Sequence, residues 1–283
     1  MLSGVGISSV TEKSLEGLLT EVGLTCRAMK PPATDKAWYE SWFDSPHYHR
    51  LYGHRSNREA QNFIERLHAH FEWKDLSLLD LACGKGRHAR AAAELGHQVV
   101  GVDLSPNSID QARLNAVGIP GLNFVQADMR TFELHNKFDG ILNLFTSFGY
   151  FNKVEDHYAV LESMAAHLQP GGFLLLDFLD AAFSRKHLVP SDELTRDGVT
   201  YRLAREIRKG SHGDWDTFVK TIQFEEGGTR IVHTEEVAAL SNADLTLMLE
   251  NAGFQILERF GTYRLDPWVE GACPRLIIHA IKS

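Results

Sequence analysis

The stretch Leu78-Leu79-Asp80-Leu81-Ala82-Cys83-Gly84-Lys85-Gly86-Arg87-His88-Ala89 decides the fold. It reads as an apolar strand, an acidic residue, a glycine turn and an Ala-rich helix. Leu78, Leu79 and Leu81 supply the buried strand positions. Gly84 and Gly86 let the backbone turn sharply and let a ligand approach with no Cβ in the way. The helix opening at Arg87 presents free N–H groups to an anionic ligand group. Gly84, Gly86 and Ala89 also fit the loose dinucleotide pattern, so the glycines alone leave the ligand open. Asp80 narrows the choice, because a carboxylate before the turn repels a pyrophosphate and suits a ligand carrying an ammonium group.

Two further acids close apolar runs downstream. Gln98 to Val102 reads as a second strand ending at Asp103, and Leu122 to Ala127 as a third ending at Asp128. Asp103 suits the two hydroxyls of a ribose, a role shared with dinucleotide folds. Each acid taken singly also reads as a helix or turn cap. Three acids at three successive strand ends form a joint pattern, and it resembles the class I S-adenosylmethionine-dependent methyltransferases, with Asp80-Leu81-Ala82-Cys83-Gly84-Lys85-Gly86 as their motif I. The resemblance implies that Asp80, Ala82, Cys83, Gly84, Gly86 and Arg87 contact S-adenosylmethionine. It places Asp103 and Leu104 at the ribose, Asp128 at the adenine amino group and Met129 against the ring. Asn143 and Leu144, ending a fourth strand, complete the cofactor wall. Tyr48 and Arg55 precede the core and are candidate contacts for the methionine carboxylate; Arg87 either shares that contact or is a solvated helix-start arginine.

Working outward, the elements alternate. A helix over Arg58 to Phe71 precedes the first strand. Ser105 caps a helix with Pro106 at its first position. Lys137 to Phe145 gives the fourth strand, Val154 to Leu168 a helix, and Phe173 to Asp177 the fifth strand after the stop Gln169-Pro170-Gly171-Gly172. Alternating strands and helices predict a parallel sheet covered on both faces. From about residue 188 the pattern becomes antiparallel: Val199 to Arg208, Phe218 to Glu225 and Arg230 to Val237 read as a meander. A helix after Ser241 and strands at Phe254 to Phe260 and Pro274 to Lys282 close the chain, as the last two strands of the resembled family do.

The expected fold is therefore α/β: a seven-stranded, mostly parallel sheet with an antiparallel last strand, helices on both faces, and a small antiparallel β insertion. The expected division is an N-terminal extension and cofactor-covering segment (1–57), a Rossmann-like core (58–187), the insertion as substrate lid or homodimer contact (188–240), and a C-terminal helix and strands completing the sheet (241–283). Thr11 to Met29 has the spacing of an amphipathic helix, and residues 35–57 are rich in aromatics and His.

The resemblance implies direct displacement of a methyl group onto a small-molecule nitrogen or oxygen. The product would be S-adenosylhomocysteine. Chemistry is expected beside Asn143-Leu144-Phe145-Thr146-Ser147-Phe148-Gly149-Tyr150-Phe151, a run unlike the Pro-Pro-Tyr motifs of nucleic-acid amino-methyltransferases and closer to sugar and glycine N-methyltransferases. Tyr150 and Ser147 are the catalytic candidates. The Tyr150 hydroxyl either orients the nucleophile or satisfies a nearby backbone group. Asp177 either holds a substrate amine or caps a turn, and Arg205 either grips an acidic acceptor or faces solvent. No metal is expected, since His47, His49 and His54 lack clear zinc spacing.

Composition bounds the rest. The 283 residues are 43% hydrophobic and 23% charged, ordinary for a globular chain with a large core. A net charge of −8 disfavours a nucleic-acid partner. Three cysteines, the absence of a long apolar run and the absence of a signal-peptide pattern predict a cytoplasmic setting without membrane insertion. The rival readings are an NAD-dependent oxidoreductase, which shares Gly84, Gly86 and Asp103, and a catalytically silent methyltransferase-fold binding protein.

Overall fold

The computed structural model describes residues 37–53, 57–212 and 215–283. The amphipathic segment at 11–29, His54 and Arg55 lie outside the described residues.

The chain begins with two short helices, α1 (Trp38–Phe43) and α2 (Pro46–Leu51), then α3 (Asn57–His70). The expected strand–turn–helix follows as β1 (Ser77–Leu81) and α4 (Arg87–Glu94), and the next units are β2 (Gln98–Asp103), α5 (Pro106–Asn115) and β3 (Leu122–Gln126). Then come β4 (Phe138–Asn143), α6 (Val154–His167) and β5 (Leu168–Leu179). Ser105 caps α5 by accepting from the Ser108 N–H, with Pro106 at the first position where its missing N–H costs nothing.

The main sheet has the order β10-β11-β5-β4-β1-β2-β3, where β10 is Phe254–Phe260 and β11 is Arg275–Lys282. β1 pairs in parallel with both β2 and β4, so the strand order reverses there. That reversal opens a crevice at the strand ends, where open α/β sheets bind ligands. β11 runs antiparallel to both β5 and β10. A capping box made by Ser241 and Asp244 starts α8 (Asn242–Asn251), the helix before β10. Side chains of β1 alternate: Leu79 and Leu81 join one core with α6 and α8, while Leu78 joins a second with α3, α4 and α5. The sheet is thus covered on both faces, and leucines stand on both sides of β1 because both sides are buried, Asp80 being its charged exception.

A second, four-stranded antiparallel sheet contains β6 (Ser191–Arg196), β7 (Val199–His212), β8 (Trp215–Glu226) and β9 (Thr229–Ala238), after a short helix α7 (Ala181–Lys186). The meander pattern predicts β7, β8 and β9 and misses β6. Ser-Asp-Glu-Leu-Thr-Arg has no apolar alternation because β6 is an edge strand with mostly exposed residues. β5 is also longer than expected. Gln169 to Gly172 does end the preceding helix, but Leu168 already pairs with Phe138, and the strand resumes pairing at Phe173. The inserted sheet packs on α1 and α2 through a core of its own, built on Trp42, Leu51, Tyr201, Ile222 and Phe224.

Candidate active site

The ends of β1, β2, β3 and β4 and the cover helices α1 and α2 enclose a cavity of about 450 Å³. The glycine turn forms one wall. Ala82, Gly84 and Gly86 all have positive φ, at 61°, 55° and 75°. An added Cβ at Gly84 meets no atom within 4 Å, so that position opens onto free space. At Gly86 the Cβ would fall 2.3 Å from the Phe124 ring. Gly86 is therefore not a wall residue but the position that lets α4 start against β3.

Asp80 is 1% exposed and its Oδ2 accepts from the Ala89 N–H at 3.0 Å. Burial pushes its carboxyl up from 3.8 to about 7, the Ala89 bond opposing and Asp103 adding to the rise. Asp103 ends β2 half-buried. Its Oδ2 accepts from Gly84 N at 2.7 Å and its Oδ1 from Ser105 N at 2.9 Å. A carboxylate has about four acceptor sites, so Asp103 keeps capacity for a ligand's hydroxyls. Burial raises this carboxyl as well.

Asp128 and Met129 also reach the cavity, but Asp128 is engaged. Arg130 donates from its backbone N (2.9 Å) and Nε (3.1 Å) to Oδ1, and from Nε (3.1 Å) and Nη2 (2.6 Å) to Oδ2. Three Arg130 N–H groups thus hold it, the Nε–H shared between both oxygens, and of about four acceptor sites one stays open. A ligand amino group meets Asp128 as a carboxylate already paired with Arg130, a pairing the sequence reading did not include.

Ala82, Cys83, Arg87, Leu104, Leu144 and Tyr48 line the cavity. Burial pushes the Cys83 thiol well up, so it is no nucleophile. Asn143 is a correction. It is fully buried, is not on the cavity wall, and donates from Nδ2 to the Leu81 carbonyl at 3.0 Å, pinning β4 to β1.

Ser147 and Tyr150 both reach the cavity. Each hydroxyl donates to a carbonyl of its own loop, Ser147 to Leu144 at 2.8 Å and Tyr150 to Thr146. Each oxygen can still accept from a ligand.

Two expected substrate contacts are not brought to the cavity. Asp177 is 0% exposed and spends both oxygens internally, Oδ1 on Arg275 (2.6 Å from Nη2) and Oδ2 on the Phe145 N–H (2.7 Å) and the Tyr263 hydroxyl (3.0 Å). Arg205 lies on β7 and donates to the Val189 carbonyl at 3.2 Å. Among the described residues of 188–240, none lines the cavity.

The cover comes instead from α1 and α2. Tyr39, Phe43, Tyr48, His49 and Tyr52 face the cavity from these helices and the turn after them. The signal was visible as the aromatic run at 35–57, but its face was not. Asp44 ties the cover to the core by accepting from Ser105 Oγ at 2.6 Å and Asn107 N at 3.1 Å, at the N-terminus of α5 where an anion is favoured. Trp42 Nε1 and the Tyr52 hydroxyl each donate to Glu235 at 2.7 Å, fixing the cover to β9. Burial, with Lys85 adding, lowers His49 to about 4, and burial, with Arg87 adding, lowers His88 to about 3. Both imidazoles are neutral at pH 7. Among the described residues no group of three or more His, Cys, Asp and Glu side chains is placed to hold a metal. His47 instead bonds Tyr201 and Glu226, at 3.0 Å each.

A strand-order reversal, a glycine turn and acids at the ends of β1, β2 and β3 are what a nucleoside-binding crevice requires. Residues 78–172 match the methyltransferase domain family. That match covers about a third of the chain. The chain is 33% identical over 138 residues to dTDP-3-amino-3,4,6-trideoxy-alpha-D-glucopyranose N,N-dimethyltransferase of Streptomyces venezuelae, covering 48% of this chain and 56% of that enzyme. The match thus spans little more than half of that relative. It is 29% identical over 217 residues to a glycine/sarcosine N-methyltransferase of Parasynechococcus marenigrum (strain WH8102), covering 75% and 73% of the two chains. The methyltransferase domain and its additions superpose on an S-adenosylmethionine-dependent methyltransferase from Clostridium acetobutylicum ATCC 824 with a TM-score of 0.68 at 20% identity, covering 84% of this chain and 96% of that one. The sugar N-methyltransferase KedS8 from Streptoalloteichus sp ATCC 53650 gives 0.61 at 19% identity, covering 90% and 96%.

Proposed function

We propose that this chain is an S-adenosylmethionine-dependent methyltransferase acting on an amine nitrogen of a small polar molecule. The observation that carries the reading is the cavity in which the glycine turn, Asp80 and Asp103 face an aromatic cover. The residues present fit the cofactor. Gly84 leaves the space its Cβ would fill, Asp103 retains acceptor sites beside it, and the buried Asp80 carboxyl, held near neutrality, is stabilised as an anion by a cationic group. Arg87 on the same wall supplies a cation for a carboxylate. When bound, the cofactor supplies a methyl carbon on a sulfonium leaving group, so the protein is left to bind, orient and exclude water.

Tyr39, Phe43, Tyr48 and Tyr150 close the cavity with aromatic surface, which favours a cationic or amine-bearing ligand over a bare acid. The nitrogen reading rests on that wall, since the relatives include both N-methyltransferases and ubiquinone biosynthesis O-methyltransferases at comparable identity. The dehydrogenase reading loses to β11, an antiparallel last strand, and to Asp80, which repels a pyrophosphate. The silent-scaffold reading shares the cofactor cavity and is separated by transfer activity, since it binds cofactor and methylates nothing. Among the described residues no helix is long and apolar enough to cross a membrane. A cytoplasmic location and a homodimer remain readings of the sequence, the first supported by free Cys83 and Cys273. The test is transfer of labelled methyl from S-adenosylmethionine to a panel of amino sugars, amino acids and phenols. Methylation of an amine and not of a phenol is expected; methylation of phenols alone would overturn the nitrogen assignment.

A further inference from the structure

The C-terminal hairpin meets the cavity wall at one place, and the contact is built from a buried ion pair. Asp177 on β5 is 0% exposed and the Arg275 side chain on β11 is 18% exposed. Arg275 donates from Nε (2.8 Å) and Nη2 (2.6 Å) to Oδ1 of Asp177. The other carboxylate oxygen accepts from the Phe145 N–H at 2.7 Å, and the Asp177 carbonyl accepts from the Thr146 N–H at 3.0 Å.

Those two N–H groups belong to the most unusual backbone in the site. Phe145 and Thr146 have φ of 68° and 60°, two consecutive left-handed residues that are not glycine. Such a conformation persists only when its surroundings over-determine it. Asp177 supplies that restraint with two acceptors, one on each strained residue. The Phe145 ring stacks on Tyr263 at 5.9 Å and 18°, and Tyr263 donates its hydroxyl to the same Asp177 oxygen at 3.0 Å. The consequences reach the cavity twice. The Arg87 guanidinium sits 4.3 Å from the Phe145 ring centroid, and the Thr146 carbonyl is the acceptor that fixes the Tyr150 hydroxyl.

We propose that Asp177, Arg275 and Tyr263 are positioning residues. They act on the cavity through Phe145 and Thr146, setting Arg87 on the cofactor side and Tyr150 on the acceptor side. None of the three lines the cavity. The assignment of sides rests on the function proposed above; the restraint on the loop does not.

Two readouts test it: the affinity for S-adenosylhomocysteine by titration calorimetry, and chymotrypsin cleavage within Phe145–Phe151 followed by mass spectrometry. The variant D177V/R275M removes both charges together, so no lone charge is left buried, and removes the acceptor for Phe145. It is expected to bind S-adenosylhomocysteine at least tenfold more weakly and to be cut in that loop at least tenfold faster, with cleavage elsewhere unchanged. D177N/R275M keeps an acceptor for the Phe145 N–H and is expected to restore most of the protection. Should D177V/R275M fail to fold, Y263A, which removes the stacking ring and its hydroxyl, is read the same way. A folded variant with wild-type affinity and wild-type loop protection overturns the proposal, as does faster cleavage spread over the whole chain, the mark of a merely stabilising pair. If the wild-type chain binds no S-adenosylhomocysteine, the proposed function falls while the cleavage comparison still decides the positioning role.

Discussion

Asp80 carries opposed demands. Its folded-state carboxyl titrates near 7 against an ordinary 3.8, because burial disfavours the anion. The unfolded chain releases this proton first as pH rises. Stability from this group is therefore full below about pH 4 and is lost as pH rises through 7, on the order of 4 kcal/mol at full titration. Asp80→Asn keeps an acceptor for Ala89 and removes the buried charge. The variant is expected to melt several degrees higher than wild type at pH 8, to show no such gain at pH 4, and to lose cofactor affinity. A lower melting temperature at pH 8 would contradict the burial argument. Asp103→Ala removes a charged acceptor that also holds the Gly84 and Ser105 N–H groups. Charge-assisted bonds are worth about 1.5–3 kcal/mol each, so affinity for S-adenosylhomocysteine should fall at least tenfold by calorimetry; unchanged affinity would sink the ribose assignment. At this scale the sequence shows which carboxylates exist but not which are already taken. Asp177 is spent on Arg275, 98 residues away, and no local pattern reveals that pair. Asp128 is paired with Arg130, two residues on, close enough that a basic side chain so near the strand end was a readable warning.

Among the elements, the strand–turn–helix at 77–94 was legible because each residue choice there answers a local need: apolar runs for a doubly buried strand, glycines for positive φ, alanines for a flat helix face. β6 was not legible because an edge strand of exposed polar residues has no periodicity to read. The inserted sheet was legible as strands but not in its placement. It packs on α1 and α2, so it steadies the cover rather than forming it. Two outcomes follow. Arg205→Ala should leave methyl-transfer kinetics unchanged, because β7 does not reach the cavity; a raised KM for the acceptor would place the sheet at the substrate after all. Trp42→Ala should cost about 3–5 kcal/mol by emptying a fully buried site between the cover and the sheet. Its signature in thermal melts and proteolysis should be early release of α1 and α2, and a melt indistinguishable from wild type would show that the cover is held by other contacts.

For the whole molecule, the architecture divides the labour. The doubly covered sheet provides a crevice where the strand order reverses, two short helices close it, a second sheet anchors those helices, and the C-terminal hairpin reaches the crevice from behind through Asp177. Fold class was readable from alternation and from three acids in order. The acceptor was not, because the cover that shapes it comes from an aromatic segment whose facing depends on packing against strands more than 150 residues later. The measurement that tests the central claim most directly is titration calorimetry of the purified chain with S-adenosylhomocysteine, with NADH as the comparison. The account predicts saturable one-to-one binding of S-adenosylhomocysteine, weakened in Asp103→Ala, and none of NADH; binding of NADH alone, or of neither ligand, would contradict it.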